Sequence, residues 1–166
     1  MQIVKMESAG DCGAACLAMA LGMRRASDVY PLLGYDPSKM TPMGVTDGET
    51  MEALRLMGRR SYIQTAKEAY AASWGVEIES LHARCKMSYR GALQAKLGSQ
   101  QTGCAIVVVP SLNMENTEHY VFCRKGEVYD PSNGKKYIGT ANSLPLSAVI
   151  FIEDYMGEVP TFAEVE

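Results

Sequence analysis

The feature that most constrains the fold is a change of hydrophobic period about two thirds of the way along the chain. After about residue 100 the runs AIVVV, HYVFC, EVYD and AVIFIE are rich in β-branched and aromatic residues and are separated by Pro, Asn, Ser or Gly, which is strand and turn chemistry. The RKG between the second and third runs is a hairpin-sized connection, so these strands are expected to pair antiparallel over about residues 101–155. Upstream the spacing is helical instead. Asp11 is placed to cap the amides of a helix in which Cys16, Leu17, Ala20 and Leu21 recur and after which Gly22 marks the end. TDGETMEALRLMG predicts a second helix, with Met51, Leu54 and Met57 or Leu56 on one face and Gly58 after the last turn. AKEAYAASW and SYRGALQAKLG, the latter closed by Gly98, predict two more, while PLLGYDPSKMTPMG at residues 31–44 reads as a turn-rich connection. The expected class is therefore α+β, a helical part over about residues 1–100 packed on an antiparallel sheet.

With 166 residues, 47% of them hydrophobic and 21% charged, the chain matches one globular domain with a sizeable core, residues 1–166. Net charge is −3 and the longest basic runs are the pairs Arg24-Arg25 and Arg59-Arg60, so a nucleic-acid partner is not expected. Lys5, Glu7 and Asp11 interrupt any secretory apolar region, and the best apolar run, CAIVVV before Pro110, is far short of the ~20 residues a membrane span needs. Five cysteines in no disulfide spacing point to reduced thiols and a cytoplasmic location.

Three residues carry chemistry. Cys12 opens the first helix, where unpaired amides and the helix dipole favour an anion and hence a thiolate. Its small neighbours Gly10, Gly13, Ala14 and Ala15 leave room for a substrate backbone to approach. His119 begins the HYVFC strand, and Asp130 ends the next strand across the hairpin, a separation at which antiparallel neighbours bring an imidazole and a carboxylate together. Each has an ordinary structural counterpart: a small core thiol, a half-buried sheet histidine, a turn aspartate ahead of Pro131. Their order in the chain, nucleophile then base then orienting acid, is what joins them.

GDCGAACLAMAL resembles the helix motif of the double-glycine leader peptidases, papain-like cysteine peptidases that process bacteriocin precursors, in which a DCG-x-ACLAM pattern surrounds the nucleophile. HYVFC followed by VYDPSNG is similar to that family's His-Tyr-Val-Val strand and the Asp-Pro-x-x-Gly after it. The resemblance covers both ends of the site and leaves about residues 25–100 unmatched. It implies a papain-like fold, Cys12 as nucleophile, His119 as general base, Asp130 as the residue that orients it, a peptide or protein as substrate, and no cofactor or metal. The family also places a glutamine six residues before the nucleophile to bind the oxyanion; here that position is Met6, whose thioether donates no hydrogen bond. The substitutes are the backbone amides of Cys12 and Gly13, a side chain such as Ser8, or Gln2 reaching in from an altered loop.

The expected activity is thus thiol-dependent peptide hydrolysis through an acyl-thioester, with deamidation or acyl transfer available to the same three residues. The alternative is a papain-like module in which catalysis has decayed, as Met6 would mark, and which only binds peptide. A zinc site from Cys12, Cys16, His82 and Cys85 is a weaker rival, since no Cys-x-x-Cys pair occurs. Cys104 and Cys123 fall in apolar strands and read as core; Met40 and Met43 lie in a loop where they suit either packing or a partner contact; the tail EDYMGEVPTFAEVE reads as fraying.

Overall fold

The computed structural model describes residues 2–7, 10–34, 44–80, 89–111, 117–139 and 141–154. Met40, Met43, His82, Cys85 and the tail from residue 155 lie outside the described residues. The helices are α1 (Cys12–Leu21), α2 (Tyr30–Leu33, entered through a 3-10 turn at Ala26–Val29), α3 (Asp47–Leu56), α4 (Ala66–Trp74) and α5 (Tyr89–Gly98). The strands are β1 (Ser61–Thr65), β2 (Cys104–Pro110), β3 (Glu118–Arg124), β4 (Glu127–Asp130), β5 (Lys135–Ile138) and β6 (Ala148–Ile152). They form one antiparallel sheet in the order β1-β6-β2-β3-β4-β5.

Because strand side chains alternate between faces, the sheet has two cores. On one face Cys104, Ile106, Phe122, Ile150 and Ile152 pack against α1, which is buried from Gly13 through Ala20; a helix covered all round needs apolar or small residues all round, as CGAACLAMAL has. On the other, Val107, Val121, Val149 and Phe151 pack with Leu93 and Leu97 of α5 and Ala66 and Ala69 of α4. The central strands β2 and β6 are covered on both sides, which is why they read as unbroken apolar runs rather than alternating ones.

Local chemistry explains most boundaries. Gly22 ends α1 in the left-handed conformation at φ 72°, its amide bonded back to Ala18 and Met19. Thr46 with Glu49, and Thr65 with Glu68, close capping boxes at the starts of α3 and α4. The β3–β4 hairpin turns through Lys125 and Gly126, both at positive φ (50° and 77°), the backbone a two-residue turn needs to match strand twist.

Three elements depart from the sequence reading. Residues 31–33 finish the helical turn α2 instead of opening the loop, and Gly34 stops it at φ 69°. The edge strand β1 sits in the part expected to be helical, held by pairing of Ser61–Thr65 with Ile152–Ala148. The other edge, β5, is exposed throughout and has no apolar alternation to announce it. Cys104 and Cys123 are buried core residues and Met57 is buried in α3's terminal turn, as expected.

Candidate active site

Cys12 is the first residue of α1 and is partly exposed. Gly13, Ala14 and Ala15 beside it are buried, and their small size serves packing. A Cβ on Gly13 would stand 3.2 Å from Val45 Cβ, and one on Gly44, at φ 72°, would stand 2.8 Å from Gly10 O. The segment after residue 43 therefore lies directly against the entry to α1.

His119 lies on β3, half-buried, and Asp130 ends β4. The register pairs Phe122 with Tyr129; continued by one pair it sets Asp130 opposite Val121, which makes His119, two residues further on the same face, its diagonal neighbour. His119 Nε2 is 3.0 Å from Asp130 Oδ1. A hydrogen bond with the Cys12 thiol and the link to Asp130 outweigh burial and push His119 up to about 9. With Nε2 on Asp130, Nδ1 is the nitrogen left for Cys12. Burial opposes ionisation of Asp130, but hydrogen bonds from His119, from Ser132 N (2.9 Å) and from Ser132 Oγ (2.7 Å) hold its carboxyl below the usual range. A protonated imidazole between a thiol and a carboxylate can both favour a thiolate and deliver a proton.

The Asp11 expectation is corrected. It occupies the cap position, at φ −86° and ψ 1°, but its side chain accepts nothing from α1. The carboxylate is fully buried and accepts from Tyr30 Oη at 2.7 Å and from Glu7 N at 3.3 Å. The backbone of Asp11 is not in the extended conformation from which a side chain caps a helix, and its carboxylate turns to Tyr30 and to the Glu7 amide instead.

Met6 is half-buried, and its amide donates to Pro131 O at 3.0 Å, which ties the segment before Cys12 to the turn after Asp130. That amide is therefore spent. Gln2 is exposed, and Ser8 lies outside the described residues. Ala15 N to Asp11 O, 2.8 Å, is the first bond of the helix, and among the described residues none accepts from the amides of Cys12, Gly13 or Ala14. Sequence reasoning missed Tyr120, next to His119, whose hydroxyl donates to Asp47 Oδ1 at 2.7 Å. Burial first, then that bond, raises its pKa, and the Cys12 thiol adds to the effect, so it stands within electrostatic reach of Cys12.

For the zinc alternative, Cys16 is fully buried, and burial, then the neighbouring Cys12 and Cys123 thiols and Asp130, push its thiol well above the ordinary value. Its supposed partners His82 and Cys85 lie outside the described residues, and no group of three or more metal-ligating side chains occurs among the described ones.

No protein-family model and no curated protein sequence matches the chain. Among solved structures, the peptidase domain of Streptococcus ComA, a bi-functional ABC transporter of a quorum-sensing pathway, superimposes with a TM-score of 0.54 at 16% identity, covering 92% of this chain and 97% of that one. A double-glycine-motif protease from an AMS/PCAT transporter, solved with its leader peptide, superimposes with a TM-score of 0.51 at 16% identity, covering 91% and 89%. Helices on an antiparallel sheet, in the arrangement these two share with it, give the chain the papain-like α+β fold of the peptidase domains of double-glycine ABC transporters.

Proposed function

We propose that the chain is a cysteine peptidase in which Cys12 is the nucleophile, His119 the general base and acid, and Asp130 the residue that orients the imidazole and balances its charge. The observation that carries this reading is the set at the start of α1: His119 Nε2 stands 3.0 Å from Asp130 Oδ1, and the Cys12 thiol is near enough to the imidazole to be the first cause of its raised pKa. The likeness to a protease solved with its leader peptide supports an extended peptide as the ligand. Helices from along the chain packing on one sheet support a single domain over residues 1–166, and the four free cysteines among the described residues suit a reducing compartment such as the cytoplasm.

The chemistry follows from the groups present. The thiolate attacks the scissile carbonyl carbon, and the carbonyl electrons move to oxygen, where the amides of Cys12 and Gly13 can donate to it. As the intermediate collapses the C–N bond breaks, and the imidazolium of His119 gives its proton to the leaving amine, leaving a thioester on Cys12. Water then attacks the thioester while His119 takes its proton, and the peptide acid and the thiolate are released. Deamidation uses the same steps on a side-chain amide, and acyl transfer replaces water with an amine.

The test is the pH dependence of Cys12 alkylation by iodoacetamide, located by mass spectrometry, in wild type and in His119→Ala. Reaction well below the ~8.5 of a free thiol, shifted upward by the substitution, is the expected result; alkaline onset in both proteins refutes the ion pair. The second reading, a module that binds peptide without cleaving it, is favoured by Met6 at the place of the family's oxyanion glutamine. It predicts a protein inert toward a broad peptide library that still binds extended peptide as Cys12→Ala.

A further inference from the structure

An aspartate one residue ahead of a helix ordinarily turns its carboxylate onto the second or third amide of that helix. Asp11 does not, although among the described residues none accepts from the first amides of α1 and the carboxylate has no access to water. Two donors hold it elsewhere. The shorter bond comes from Tyr30 Oη at 2.7 Å, the other from Glu7 N at 3.3 Å. Tyr30 is itself buried at 5% exposure, and burial and then the bond to Asp11 raise its pKa, so its hydroxyl stays a donor at any ordinary pH. Ser27 Oγ, three residues before Tyr30, donates to the Glu7 carboxylate at 3.2 Å, which binds the same two segments together a second time.

The location matters because Asp11 adjoins Cys12. Its carboxyl group is an intramolecular acceptor next to the amides that an oxyanion would use, and it is in place before reaction, whereas the oxyanion exists only during it. Turned onto those amides it would occupy the donors.

We propose that Tyr30 is a positioning residue which holds the Asp11 carboxylate away from the start of α1, keeping the first amides of the helix open for the oxyanion that forms at Cys12. This rests on the peptidase reading above. Its substance is a diversion of an internal competitor: loss of the Tyr30 hydroxyl releases a buried carboxylate whose next available donors are the amides of Gly13 and Ala14.

Two reactions of the same sulfur separate this role from a merely structural one. With p-nitrophenyl acetate, Cys12 sulfur attacks the carbonyl carbon, an oxyanion forms, and its collapse expels p-nitrophenolate and leaves acetyl-Cys12. With iodoacetamide the sulfur displaces iodide from a saturated carbon, and no oxyanion arises. Tyr30→Phe is expected to lower the ratio of acylation to alkylation rate by about tenfold or more, since loss of an oxyanion donor costs ~10²- to 10³-fold in turnover. Asp11→Ala added to Tyr30→Phe removes the competitor and is expected to return the ratio to the wild-type value. Equal falls in both rates, or a ratio that the second substitution does not restore, overturn the proposal. Amide temperature coefficients of Gly13 and Ala14 in the wild type give a second check that needs no variant to fold: values typical of amides without an intramolecular acceptor are expected, and values typical of accepted ones refute it. If neither reagent modifies Cys12 faster in wild type than in His119→Ala, the peptidase reading itself falls, and this inference falls with it.

Discussion

Asp130→Asn removes the carboxylate that faces His119 Nε2 while keeping the size of the side chain. The bond is 3.0 Å long, and the two side chains are 19% and 21% exposed, so solvent screens it only partly. Hydrogen bonds to charged groups are worth ~1.5–3 kcal/mol, and one pKa unit corresponds to about 1.4 kcal/mol, so His119 is expected to drop by roughly one to two units from its position near 9. Cys12→Ala is expected to lower it as well, because the bond with the Cys12 thiol is the largest cause of the rise. The chain has two histidines, so a proton NMR titration of the ring C–H signals, assigned with His82→Gln, reads His119 directly. The same shift carries a stability signature. The folded pKa of His119 lies above its unfolded value of about 6.5, so the stabilisation is complete below about 6.5 and is lost as pH rises through about 9. Urea midpoints of the wild type should therefore fall over that window, and those of Asp130→Asn should lose less, and lose it at lower pH. Asp130 contributes in the opposite sense: its lowered pKa gives stability above the unfolded carboxyl value that is lost as pH falls through the folded one. A wild-type His119 that titrates near 6.5, or an Asp130→Asn variant in which it does not move, would refute the reasoning.

Met6→Gln restores a side-chain donor at a position whose backbone is already held by Pro131 O, and is expected to raise the rate of Cys12 acylation by p-nitrophenyl acetate by about tenfold or more, with alkylation unchanged. Native protein treated with iodoacetamide at neutral pH should label Cys12 ahead of Cys16, Cys104 and Cys123: all three are buried, burial pushes Cys104 up to about 11, Cys123 higher and Cys16 well above its ordinary value, and peptide mapping with and without urea checks the order. Phe122→Ala empties the centre of the face under α1, where Phe122 is 1% exposed and its ring centroid is 5.8 Å from that of Tyr129, and should cost ~3–5 kcal/mol by urea denaturation.

The elements legible in the sequence are those whose burial and turn chemistry are local. A helix between Asp11 and Gly22, apolar strands such as CAIVVV and a hairpin-sized connection at RKG each announce themselves, because period and turn chemistry are properties of adjacent residues. The His119–Asp130 pairing was legible for the same reason: one tight hairpin sets the register between them, and register decides which side chains meet. Cys12 joined them only through its resemblance and its place at a helix start, since no local rule carries residue 12 to residue 119.

What the tertiary structure decided is everything that depends on competition between distant partners. The edge strand β1 forms because β6 offers it a ladder, and β5 because β4 does; neither pattern stands out alone. Asp11 turns from its helix to Tyr30 Oη in the core, and the Met6 amide donates to Pro131 O, more than a hundred residues away in the chain. The physical reason is common to these cases. A buried polar group bonds to the best partner the fold brings near, and sequence reveals which groups need partners long before it reveals which ones arrive.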